Sequence, residues 1–326
     1  MPQEKKKNKI IQEISDKYQY CQKLVQRFVS NFGLNETLKL IKGYEKEPLQ
    51  GIRVNTLKIS KRDLKKRLSK KEFILKECKW SNAGLIIKGG KYPLGATTEY
   101  LAGYYFIQSP ASLLPVEILN PQPGDFIIDC AAAPGGKATH IAQKMKSKGT
   151  LLCIDISRER MKSLRANVNR CGITNVICVR RDFKKFANTN LKADKILCDA
   201  PCSGEGLLAI DKERRKKVAL NDIRRLAQLQ KELIQTAVSL LKKEGILVYS
   251  TCSTAVEENE EVINWALQEF PLKIEETGFR EFSKGHIKLP EKTYNTDLEK
   301  AIRLYPQKHQ TEGFFICKMR FIGDKT

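Results

Sequence analysis

Apolar residues between positions 9 and 44 recur at three- and four-residue steps, through Ile10, Ile14, Leu24, Phe28, Phe32, Leu38 and Ile41. That period predicts an amphipathic helical segment over residues 1–44, with Asn35 ahead of Glu36 as a helix start. The pattern breaks near Pro48. Over 45–100 it predicts a small α+β unit: GIRVNTL as a strand, SKRDLKKRLSKK as a helix opened by Ser60, and FILKECKW and GLIIKGG as strands. From 101 to 326 strand and helix patterns alternate. FIIDC, GTLLCIDIS, NVICVRRDF, ADKILCDAP, ILVYSTCS and GFFICKMRF read as strands. KATHIAQKM, RERMKSLRANVNRCG closed by Gly172, the long DIRRLAQLQKELIQTAVSLLKKEG closed by Gly245, and NEEVINWALQEF read as helices. Such alternation predicts an α/β fold, a mostly parallel sheet with helices on both faces.

Charge narrows the partners. The 326-residue chain carries 59 Lys and Arg against 37 Asp and Glu, a formal net charge of +22. That balance is a statement about partners rather than fold, and nucleic acid is the first polyanion to expect. An anionic membrane surface comes second, but no basic amphipathic helix with a Trp/Phe face appears. No apolar run reaches the roughly 20 residues of a membrane span. The opening MPQEKKKNKI has no apolar stretch behind its lysines, so no secretory signal is expected. These features predict a soluble, intracellular, cytoplasmic basic protein with nucleic acid as its first candidate partner. Ten cysteines and three histidines (140, 286 and 309) show no paired ligand spacing, so no metal is expected. Cys153, Cys171, Cys178 and Cys198 lie in apolar stretches and read as small buried hydrophobes.

Four successive strands end in aspartate: Asp129, Asp155, Asp182 and Asp199. In parallel sheets, ligands bind outside the carboxyl ends of the strands. Asp129 leads into Ala131-Ala132-Ala133-Pro134-Gly135-Gly136-Lys137 and a helix. Glycines there permit close backbone approach, and a helix N-terminus offers free N–H groups. An acid at the end of the second strand suits ribose hydroxyls. The dinucleotide G-x-G-x-x-G spacing is absent, which turns the reading from NAD towards S-adenosylmethionine.

Cys202 follows Asp199-Ala200-Pro201, and Cys252 sits in Tyr249-Ser250-Thr251-Cys252-Ser253. Both thiols are expected at the crevice. A thiolate is suited to attack an electron-poor ring carbon. Addition at C6 of cytosine would turn C5 into an enamine carbon able to take a methyl group. One thiol can attack while the other assists release, and the residues alone do not order them.

At this point the chain strongly resembles the RNA 5-methylcytosine methyltransferases of the RsmB/NOP2/Sun family, over roughly residues 20–320. The resemblance rests on IRVNTLK (52–58), AGYYFIQSPAS (102–112), DCAAAPGGKATHIA (129–142), DAPCSGEG (199–206), YSTCS (249–253) and RLYPQKHQTEGFF (303–315). It implies a Rossmann-like methyltransferase sheet in 101–326, with an RRM-like RNA-binding domain before it. Cys252 would be the nucleophile and Cys202 would assist release. Asp199 would hold the N3/N4 edge of cytosine, with Lys137 close to the base. Residues 131–137, Asp155, Arg160, Asp182 and Asp199 would bind S-adenosylmethionine. Ala131 and Ala138 depart from the family's usual Cys and Thr, neither of which the mechanism needs. No NusB-type extension precedes the small unit. The short, lysine-rich form is similar to archaeal members, which points first to tRNA as the substrate, with rRNA open. The competing reading is a catalytically silent RNA-binding or ribosome-assembly factor. A small-molecule methyltransferase fits poorly with the +22 charge.

Overall fold

The computed structural model describes residues 2–217 and 220–323; the remaining ends of segments 1–44 and 101–326, and residues 218–219, lie outside the described residues. Two helices come first, α1 (Pro2–Tyr18) and α2 (Gln22–Tyr44). The expected single start at Asn35 is replaced by a kink two residues earlier, where Gly33 leaves helical geometry at φ +76°. These helices enclose a cluster with Ile11, Val25, Phe28 and Ile41 that also takes in Leu208 and Tyr305, so they dock on the larger unit.

The small unit contains β1 (Gln50–Val54), α3 (Lys61–Ser69), β2 (Ile74–Glu77), β3 (Gly84–Gly89), α4 (Thr98–Leu101) and β4 (Tyr105–Ile107). Its sheet has the antiparallel order β2-β3-β1-β4. Ser60 caps α3 as expected, its hydroxyl accepting the Asp63 N–H at 3.1 Å. The segment around 102–112, expected to lead into the catalytic sheet, gives its strand to this one instead, beyond the 45–100 boundary.

The larger unit follows with α5 (Pro110–Leu119), β5 (Phe126–Asp129), α6 (Gly136–Lys144), β6 (Thr150–Asp155), α7 (Arg158–Cys171), β7 (Val176–Arg180), β8 (Ala193–Asp199), α8 (Arg214–Lys217), α9 (Leu220–Leu240) and β9 (Leu241–Thr251). It ends with α10 (Glu260–Glu269), β10 (Leu272–Glu275), β11 (Ser283–Lys284), the short pair β12 (Lys288–Leu289) and β13 (Lys292–Thr293), β14 (Ile302–Leu304), α11 (Pro306–His309) and β15 (Phe314–Phe321). Strands β7-β6-β5-β8-β9 run parallel. Alternate residues face opposite cores. Ile128, Ile154, Ile196 and Leu247 meet Leu233, Ile234 and Ala237 of α9. Ile127, Leu151, Leu197 and Val248 meet the α5–α7 face through Leu114, Ile141 and Leu164.

Two expectations change. The sheet is mixed: β15 joins β9 antiparallel, and β14, β10 and β11 extend that antiparallel flank. The short connection from β14 to β15 leaves no room for a crossover, so this pair must be antiparallel. The long helix ends at Leu240 rather than at Gly245. Glu244 takes φ +64°, and a side chain at 245 would meet the Lys242 carbonyl, so Gly245 belongs to an irregular stretch within β9, where the pairing with β8 jumps from Leu241 to Ile246. Gly172, by contrast, does close α7 at φ +71°.

Candidate active site at the carboxyl ends of the parallel strands

Asp129 ends β5, and the chain turns through 130–135 into α6. Gly135 takes φ +105°, a conformation L side chains rarely adopt. The turn is tied from both sides. The Ala132 N–H donates to the Ile154 carbonyl (2.9 Å) and the Ala133 N–H to Asp155 (3.2 Å). Asn167 donates to the Pro134 carbonyl (3.0 Å), and Arg160 donates to the Ala133 carbonyl. Asp155 ends β6 and also accepts the Ser157 N–H at 2.9 Å, with Arg160 3.5 Å away. Asp182 lies two residues beyond β7, not at its end, where it caps its own turn by accepting the Lys184 N–H (3.0 Å).

A cavity of about 330 Å³ opens beside the turn. Of the expected residues, Ala131, Ala132, Ala133, Pro134, Gly136, Lys137, Asp199 and Cys252 line it. Gly135, Asp155, Arg160 and Asp182 stand outside that lining. Lys137 donates to Asp199 at 2.6 Å, and the Ser250 hydroxyl donates to the other Asp199 oxygen at 2.7 Å. Burial works against the Lys137 ammonium, yet the adjacent Asp199 carboxylate raises its pKa. Cys202 is not in the cavity wall, but its sulfur lies 3.3 Å from that of Cys252, and both residues are half-buried. The hydrogen bond with Cys252, then burial, then the Glu258 charge push the Cys202 thiol well up.

Besides Asp129, which the sequence marked as a strand-end acid, several residues at the cavity were not singled out from the sequence. Asp129 is buried, no side-chain donor reaches either of its oxygens, and burial followed by the Asp199 charge pushes its carboxyl up to about 7. Glu312, also buried in the cavity wall, accepts from the Ser109 hydroxyl. Phe106, Gln108 and Phe314 complete that wall. Glu312, Ser109, Phe106, Gln108 and Phe314 lie inside the stretches 102–112 and 303–315, so the motifs were visible while these individual side chains were not. Arg53 reaches in from β1. It donates to Gln143 (3.2 Å), Thr139 (2.6 Å), the Gly136 carbonyl (2.5 Å) and Gln108, fastening the small sheet to both ends of α6.

The parallel strands, the glycine turn at the first of them and the acid at the second define the fold of the S-adenosylmethionine-dependent methyltransferases. The description "16S rRNA methyltransferase RsmB/F" matches residues 116–320, and that of the N-terminal domain of the 16S rRNA methyltransferase RsmF matches 21–110. The chain belongs to this RsmB/F methyltransferase family. It is similar to the 25S rRNA (cytosine-C(5))-methyltransferase nop2 of Schizosaccharomyces pombe, at 36% identity over 98% of this chain and 54% of the relative. The human 28S rRNA (cytosine(4447)-C(5))-methyltransferase is 37% identical over 96% of this chain and 39% of that protein. The chain thus spans about half, or less, of the length of these relatives. Among solved structures, a methyltransferase homologue from Pyrococcus horikoshii superposes with a TM-score of 0.87 at 34% identity, covering 95% of this chain and 98% of that one.

Proposed function

We propose that the protein methylates C5 of cytosine in RNA through a transient bond between Cys252 and the base. The observation that carries this reading is the 3.3 Å approach of the Cys202 and Cys252 sulfurs beside a cavity that Lys137 and Asp199 also line. S-adenosylmethionine fits the opposite side. The Gly135-Gly136 turn leaves room for close approach, and the buried Asp129 carboxylate has no side-chain donor, so it suits a cationic ligand. Residues 131–137 with Asp155, Arg160, Asp182 and Asp199 would hold the methyl donor. It supplies an electrophilic methyl carbon on a sulfonium sulfur.

The chain's own groups do the rest. The Cys252 sulfur bonds to C6, and the C5=C6 electron pair becomes available at C5. Asp199, held by Lys137 and Ser250, binds the N3/N4 edge by accepting from the amino group and orients the ring, and the Lys137 ammonium offsets the negative charge that develops on it. Once C5 carries the methyl group, a base takes the C5 proton, the C–H electron pair re-forms the C5=C6 double bond, and the Cys252 sulfur leaves as thiolate. Cys202 assists that expulsion. The cytosine must leave any stack to enter the cavity. The relatives' names favour rRNA as the substrate, and tRNA, the first expectation from the sequence, is the alternative that the test below separates. No helix among the described residues is long and apolar enough to cross a membrane, and the cytoplasm is the compartment proposed.

The test is to incubate the protein with methyl-labelled donor and separately purified rRNA and tRNA, then locate 5-methylcytosine by bisulfite sequencing. Cys252→Ala is expected to abolish the product while donor binding is retained. Turnover by that variant would refute the nucleophile assignment. Donor binding without methylation of any RNA by the unaltered protein would leave the silent RNA-binding factor in its place.

A further inference from the structure

The two thiols sit on separate turns, one after β8 and one after β9, and each is followed by a serine. Both serines bind one carboxylate. Glu258 accepts the Ser203 N–H at 2.8 Å, the Ser203 hydroxyl at 2.6 Å and the Ser253 hydroxyl at 2.6 Å. Gln230 from α9 donates to Glu258 at 3.2 Å and to the Pro201 carbonyl at 3.0 Å, so the residue before Cys202 is tied to the same group. Glu258 and Gln230 are fully buried. The four donors to this carboxylate are all uncharged, and together they fill its acceptor sites. Its position is therefore fixed by the two turns, and theirs by it.

We propose that Glu258 is the positioning residue of the thiol pair: by binding the residue after each cysteine it sets the distance between the two sulfurs. This deepens the proposed function and rests on it only for the kinetic part of the test below. The charges around the pair run in one sense. Lys137, a cation, faces Cys252, and Glu258, an acid, faces Cys202. Such a field disfavours the thiolate at Cys202. The residues around the cysteines left their order open, and this arrangement supplies a physical reason for Cys252 to attack.

The experiment uses the full chain carrying Glu258→Gln and needs no RNA for its first part. The protein is equilibrated in glutathione redox buffers at one fixed, near-neutral pH. Cys202 and Cys252 give up two protons and two electrons as their disulfide forms, and oxidised glutathione takes them up, becoming two reduced molecules. Peptide mass mapping reads the fraction closed. The variant is expected to lower this closing equilibrium about tenfold, because the effective concentration of one sulfur at the other falls. Ser203→Ala with Ser253→Ala, which keeps the carboxylate and removes its hydroxyl donors, is expected to act in the same direction. An unchanged equilibrium in folded Glu258→Gln overturns the proposal. If that variant does not fold, an unchanged equilibrium in the double serine variant does so.

In the second part, with donor and RNA, Glu258→Gln is expected to lower kcat with KM for RNA unchanged, and to accumulate the covalent RNA adduct. A purely structural role would instead lower donor binding and melting temperature together, without an adduct. If the disulfide equilibrium shifts but neither Glu258→Gln nor Cys202→Ala traps an adduct, the positioning role stands and the assignment of Cys202 to release fails.

Discussion

Sulfur attacks as thiolate and leaves as thiolate, so the surroundings of each cysteine decide its part. Cys202 keeps its proton because its partner, its burial and Glu258 all raise its pKa. Cys202→Ala is therefore expected to leave attack intact and stall release, giving an RNA–protein adduct as a retarded band on a denaturing gel. No band under turnover conditions would count against that role. Asp199→Asn removes the charge that Lys137 and Ser250 hold in place, and kcat is expected to fall by about 10²–10⁴, measured by methyl incorporation. At this scale the chain was legible where chemistry sits at the end of a strand. Cys202, Cys252 and Asp199 could be named from local context and Lys137 from the family motif, and the structure brings all four together. Glu258 could not be, because it acts across 55 residues on Ser203 and nothing in its own neighbourhood marks it.

Among elements, the seam between the small sheet and α6 depends on Arg53. Its guanidinium is buried, which pulls its pKa down to about 10. It remains charged at neutral pH and holds Gln108, Gln143, Thr139 and the Gly136 carbonyl. Arg53→Met strands those acceptors, and a loss of about 2–4 kcal/mol is expected from charge-assisted hydrogen bonds of this kind, read from the urea midpoint. Donor affinity is expected to fall as well, since Gly136 opens α6. Histidines set the acid limit. Burial pushes His140 and His286 down to about 4. Both stay neutral in the folded protein while the unfolded chain takes up protons below about pH 6.5. Their contribution to stability is complete above that pH and drains away as the pH falls through about 4. The melting temperature is expected to drop across this window, and a slope unchanged in His140→Gln/His286→Gln would reject the assignment. Element types read well from periodicity; element ends did not. The end of α9 and the kink at Gly33 are set by backbone conformations at Glu244 and Gly33 that no hydrophobic pattern reports.

For the molecule as a whole, the excess of 22 positive charges is expected to make RNA affinity fall steeply with salt, because bound phosphates release their counterions. Titration of binding against salt checks this, and a flat response would remove the electrostatic argument. The parallel half of the sheet was legible from alternation alone. The antiparallel flank was not, since β15 pairs with β9 across more than sixty residues of sequence. Strand β4 carries a different lesson. It is hydrogen-bonded into the small sheet, yet Phe106 and Ile107 from it form part of the wall of the cavity in the large one. The two units thus share a boundary stone. A chimaera that exchanged the amino-terminal unit for that of a relative, with its join after residue 107, would import a foreign wall into the methyl-transfer chamber. Retargeting the protein to a new RNA by such a graft would therefore alter the chamber as well as the address.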